Sequence, residues 1–110
     1  MKIRGIYTPA ITPLRQDGGI DWDGFAAILE HLAAAGVDGI VVGGTTGEYY
    51  AHSTEERLES LRRAKDIVGT RAVMVGGTGA IRTEDSIELA TEVAAMGYDA
   101  LLVTTPPYAQ

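Results

Sequence analysis

Two adjacent hydroxyls in a glycine-rich segment, Gly43-Gly44-Thr45-Thr46-Gly47-Glu48, are the groups in this sequence best suited to hold a small anion. The segment follows the short apolar run Ile40-Val41-Val42. Glycines let the backbone approach a ligand closely, and hydroxyls beside free N–H groups can grip a carboxylate through charge-assisted hydrogen bonds. Residue types alone leave a second reading equally open, a strand-to-helix turn whose threonines satisfy local backbone groups. Phosphate is a further option, although the segment matches neither the P-loop nor the dinucleotide fingerprint.

Other chemistry-bearing residues are fewer. Tyr108 follows Pro106-Pro107, which favour an extended chain, and its phenol there could donate, accept or relay a proton. Packing against an interface is the plainer role for the same residue. Gly76-Gly77-Thr78-Gly79-Ala80 follows another apolar run and reads as tight packing at a strand end. Tyr49 and Tyr50 read as contact residues, and His52 as a surface histidine ahead of a helix cap. Lys65 falls in the middle of a charged helix, a poor setting for a desolvated amine nucleophile. There is no cysteine, and His31 and His52 lack the paired spacing of a zinc site, so no metal is expected.

The elements that would position these groups repeat. Gly36-Val37-Asp38-Gly39-Ile40-Val41-Val42 returns as Gly97-Tyr98-Asp99-Ala100-Leu101-Leu102-Val103, with a looser copy, Gly69 to Val75, between them. The spacing of roughly 30 residues is that of one strand, one helix and two short loops. Each copy follows a segment of helical period. The first carries Phe25, Ile28, Leu29 and Leu32 with Asp21 as N-cap. The second opens on Ser53-Thr54-Glu55-Glu56, a capping box, carries Leu58, Leu61 and Ile67-Val68, and ends at Gly69. The third starts at Thr83, places Glu84 and Asp85 in its first turn, buries Leu89, Val93 and Met96, and stops at Gly97. The apolar runs are continuous rather than alternating, as in parallel strands covered on both faces. With Ile3-Arg4-Gly5-Ile6-Tyr7 as a first strand, the order is βαβαβαβ.

Nothing after the fourth strand reads as a fourth helix. Such a chain is either a small doubly wound sheet with open edges or about half of a closed barrel. Its 110 residues suit one domain, whereas an eight-unit barrel takes about 250, so a fragment is allowed. Hydrophobic residues at 45% and charged ones at 22% favour a packed globular chain over disorder. Nine basic residues against 15 acidic ones give a net charge of −6, which disfavours nucleic acid and anionic membrane as partners. No signal h-region or spanning helix is present, and a soluble cytoplasmic protein is expected.

Gly44-Thr45-Thr46-Gly47-Glu48, with Ile11-Thr12-Pro13-Leu14 before it and Gly77-Thr78-Gly79 and Thr105-Pro106 after it, closely resembles the dihydrodipicolinate synthase and N-acetylneuraminate lyase family. The similarity runs along the whole chain in order. It implies an α/β fold, the (β/α)₈ TIM barrel, with residues 1–110 as the N-terminal part of a single barrel domain. It also implies a homo-oligomer, usually a tetramer, that binds pyruvate as a Schiff base on a lysine and joins it to an aldehyde or runs the reverse cleavage, without metal or organic cofactor. By position, Thr46 and Gly47 would bind the keto-acid carboxylate, and Thr45 would belong to a proton relay with Tyr108, a tyrosine that in this family crosses from a neighbouring subunit.

The family's Schiff-base lysine and second relay tyrosine lie beyond the fourth strand, outside these residues. The 110-residue chain is therefore expected to be inactive alone. In lysine-inhibited members, polar side chains contact the inhibitor at positions that here hold Tyr49, Tyr50, Ile81 and Pro107. These cannot supply the lost hydrogen bonds, so no inhibition by lysine is expected. The same departures leave room for a sister aldolase or dehydratase acting on sugar-derived keto acids, and a non-catalytic half-barrel is the competing reading.

Overall fold

Asp21 accepts the Gly24 N–H at 3.0 Å, and helix α1 (Trp22–Ala34) starts there. Ser53 and Glu56 exchange hydrogen bonds of 3.1 and 2.9 Å with each other's backbone, forming the capping box of helix α2 (Thr54–Val68). Gly69, at a positive φ of 61°, ends it. Helix α3 (Thr83–Ala95) starts where its sequence indicates, but Arg82, its N-cap residue, contributes no side-chain bond. The computed structural model describes residues 3–105. In it these helices alternate with four strands, β1 (Tyr7–Pro9), β2 (Gly39–Val42), β3 (Val73–Gly77) and β4 (Ala100–Leu102).

All three strand pairings are parallel and the sheet order is β1-β2-β3-β4. Each strand thus lies beside its successor, with a helix crossing over in between, the connection that a parallel pair requires. Phe25 and Leu29 of α1, Leu61, Ala64 and Val68 of α2, and Val93 of α3 form one buried core with Ile40, Val42 and Met74, and Leu89 of α3 is fully buried as well. Ile28, Leu32 and Leu58, assigned to the apolar faces from their spacing, are only half-buried.

The first strand departs from its sequence assignment. Ile3 to Tyr7 reads as one extended run, but Gly5 adopts φ +96° and the Ile6 N–H is taken by the Asp38 carboxylate at 2.7 Å. Pairing begins only at Tyr7, which stands opposite Gly39. Pro9, which has no N–H to give, is the last residue of β1, and Ala10 continues the ladder by donating to Val41 O at 2.9 Å. The third strand also runs further than its apolar residues suggest, through Gly76 and Gly77. A Cβ on Gly77 would collide with the Gly43 carbonyl, and one on Gly76 would press on Val93. These glycines let β2 and α3 approach the strand.

The central strands β2 and β3 are covered on both faces, whereas β1 and β4, at the two sides of the four-stranded sheet, are less so. Leu101 and Leu102 in β4 are 38% and 42% exposed. Among the described residues, no helix is long and apolar enough to cross a membrane.

Candidate active site

Parallel strands aim their carboxyl ends at one rim of the sheet, and the Thr45-Thr46 turn lies on that rim. Gly43, at φ +76°, turns the chain out of β2. The turn then closes on itself, with Gly47 donating to Gly44 O at 3.1 Å and Glu48 to Thr45 O at 2.9 Å. A Cβ on Gly47 would sit 3.1 Å from both Ala10 O and Thr12 Oγ1, so the turn rests on the segment that leaves β1. Thr45 and Thr46 are exposed, Gly47 is buried, and the N–H groups of Thr45 and Thr46 donate to no group among the described residues. Both residues are thus open to an approaching anion.

The neighbouring strand ends complete the rim. Thr78, fully buried after β3, donates its N–H to Leu102 O at 3.0 Å, and its hydroxyl has no partner among the described residues. Tyr49 leaves the turn and brings its phenol to 3.3 Å from Thr104 Oγ1 beyond β4. Beneath the Tyr49 ring, 4.7 Å from its centroid, lies the guanidinium of Arg57, which donates to Gly79 O at 2.7 Å and Gly77 O at 3.1 Å. Burial holds the Arg57 pKa below its ordinary value.

Of the residues singled out from sequence, Thr45, Thr46 and Gly47 are brought together at the rim. Tyr108 lies outside the described residues. Tyr49 is a contact residue as read. His52 is half-buried with Nε2 enclosed and unpartnered among the described residues, not a surface histidine. Lys65, the only lysine among the described residues, bonds Gly69 O at 3.0 Å and lines a cavity of about 330 Å³ with Asp38, Arg71 and Asp99, at the amino ends of the strands. It faces away from the rim that carries the threonines.

Arg57 was missed, although its signal was present. It precedes Leu61, Ala64 and Val68 by four, seven and eleven residues, on the buried stripe of α2. A charged residue on such a stripe needs a buried partner. Among the described residues, no group of three His, Asp or Glu side chains gathers as metal ligands would.

Sequential parallel strands with crossover helices, and an open polar turn at their carboxyl rim, match the (β/α)₈ barrel class. The profile of the dihydrodipicolinate synthetase family matches residues 2–110, and the chain belongs to that family. It is 42% identical over 103 residues to the 4-hydroxy-tetrahydrodipicolinate synthase of Moorella thermoacetica, covering 94% of this chain and 35% of that protein. Among solved structures, dihydrodipicolinate synthase from Bacillus clausii superposes with a TM-score of 0.91 at 37% identity, over 96% of this chain and 36% of that one. N-acetylneuraminate lyase from Fusobacterium nucleatum does so with a TM-score of 0.91 at 33% identity, over 96% and 37%. The chain thus spans about a third of the length of the curated relatives it matches.

Proposed function

We propose that residues 1–110 are the N-terminal part of a single barrel domain in a cytoplasmic homo-oligomer, a lyase or synthase of the Schiff-base kind that uses pyruvate. The best single reading is 4-hydroxy-tetrahydrodipicolinate synthase, which condenses pyruvate with an aldehyde in lysine biosynthesis. One observation carries this reading. The exposed Thr45-Thr46 pair, with amides unengaged among the described residues, stands at the carboxyl rim where barrel enzymes bind substrate.

In the mechanism that follows, Thr46 and the adjoining N–H groups take the pyruvate carboxylate through charge-assisted hydrogen bonds. This orients the keto carbon toward an amine from elsewhere in the protein. The amine adds to that carbon, and departure of the former keto oxygen as water leaves the imine, which serves as the electron sink for carbon–carbon bond formation. The Thr45 hydroxyl then passes protons along a relay with Tyr108. Lys65 cannot act as the amine, because it lies at the opposite rim with its ammonium on the Gly69 carbonyl. Borohydride reduction in the presence of pyruvate tests the whole reading. The complete protein is expected to gain the mass of a reduced pyruvyl adduct, and the 110-residue chain to gain none. A complete protein that stays unmodified refutes the proposal.

The equal fit to N-acetylneuraminate lyase from Fusobacterium nucleatum supports a second reading, cleavage or dehydration of sugar-derived keto acids. Pyruvate release from such acids, with no formation of 4-hydroxy-tetrahydrodipicolinate from pyruvate, would favour it.

A further inference from the structure

Among the described residues Arg57 is the only buried charged side chain, 7% exposed. It has no carboxylate partner there. Two neutral carbonyls and the face of an aromatic ring are weak recompense for the lost hydration of a cation. Their arrangement, however, suits the planar fork of a guanidinium. Gly77 O and Gly79 O flank Thr78 at the end of β3, and the fork spans them at 3.1 and 2.7 Å while its face carries the Tyr49 ring.

A separate observation lies one residue back along the chain. Glu48, which closes the threonine turn, is the only non-glycine at positive φ among the described residues, at 59°. A residue persists in that conformation only where its surroundings over-determine it. The turn is anchored on its entry side by the contact between Gly43 and Gly77, and on its exit side by Tyr49.

We propose that Arg57 is a positioning residue for the Thr45–Glu48 turn, holding it through the Tyr49 ring against the ends of β3 and β4 so that its amides stand ready for a carboxylate. Arg57 itself does not touch the ligand. The inference deepens the functional reading above and rests on it for the identity of the ligand, but not for the anchoring.

The test compares amide hydrogen exchange and pyruvate binding in the complete protein and in its Arg57→Lys and Arg57→Met variants. Lysine keeps a charge but replaces the planar fork with a single ammonium, and methionine keeps the bulk without charge. Protection of the Gly47 and Glu48 amides should fall in the order Arg, Lys, Met, while that of Ile40 and Met74 in the core stays level. Pyruvate affinity should fall in the same order, by about tenfold for Arg57→Lys. If Arg57→Met fails to fold, Arg57→Lys carries the comparison. Turn amides unchanged in Arg57→Lys, or core amides falling in step with them, would overturn the inference. A wild-type protein that binds no pyruvate while its turn amides follow the expected order would sink the functional reading and leave the anchoring standing.

Discussion

Asp38 and Asp99 occupy equivalent places, each one residue ahead of a strand and each clamping the strand before it. Asp38 accepts the Ile6 N–H at 2.7 Å, and Asp99 the Met74 N–H at 2.8 Å. Each also donates its own N–H back to the same residue, at 3.1 and 2.9 Å. The repeated Gly-x-Asp phrase is thus a register pin for the β1–β2 and β3–β4 pairs. In the looser copy Arg71 stands in place of the aspartate and pairs instead with Glu30 of α1. Asp99→Ala should cost about 1 kcal/mol in urea unfolding, and Asp99→Asn less, because its side-chain oxygen still accepts.

Gly77→Ala should destabilise more than either. Its Cβ would collide with the Gly43 carbonyl, a backbone atom that cannot rotate away. A loss of about 2 kcal/mol or more is expected, with the β2 turn displaced. A Gly77→Ala variant as stable as the parent would show that the strand ends are not in tight contact.

Stability should fall at both ends of the pH range. The Ser53 backbone N–H holds Glu56 below its ordinary value of 4.5, and Arg71 does the same for Glu30. A carboxylate depressed in the folded state contributes stability above its unfolded pKa and loses it as pH falls through the folded one. Melting temperature should therefore drop on acidification below about pH 4.5, and the drop should flatten in Glu56→Gln. Burial raises the Tyr98 phenol above its ordinary 10.0 while it donates to Leu61 O at 2.6 Å. The unfolded chain ionises first, so stability is lost as pH climbs past that ordinary value. Tyr98→Phe should remove this alkaline limb.

Substitution at the rim should separate the proposed binding role of Thr46 from the proposed relay role of Thr45. Thr46→Val should weaken pyruvate binding by about tenfold or more, the effect of losing one hydrogen bond to a charged group. Thr45→Val should lower kcat with a smaller change in KM, the outcome expected of the proposed relay role of its hydroxyl. Equal effects of both substitutions on KM alone would remove Thr45 from the relay.

Free lysine should leave the activity of the complete protein unchanged. Tyr49 is already engaged with Arg57 and Thr104, and Tyr50 and Ile81, 68% and 72% exposed, offer a ring and an alkyl chain where polar contacts would be needed. A lysine titration that abolishes turnover would contradict this.

Much of this protein is written in local sequence. The caps at Asp21 and Ser53, the stop at Gly69 and the three helix faces depend on neighbours within a turn or two, so residue type and period determine them. The threonine turn was legible for the same reason, as a glycine-flanked pair directly after a strand. Tertiary structure decided the rest. Whether Ile3 to Tyr7 pairs depended on Asp38, 32 residues beyond Ile6, taking the Ile6 N–H. Whether Gly76-Gly77 was loop or strand depended on how closely β2 and α3 approach. The role of Arg57 arose only when α2 set it over the carbonyls of Gly77 and Gly79, 20 and 22 residues further on. Contacts of that kind are made by packing between distant segments, and no pattern within either segment encodes the partner.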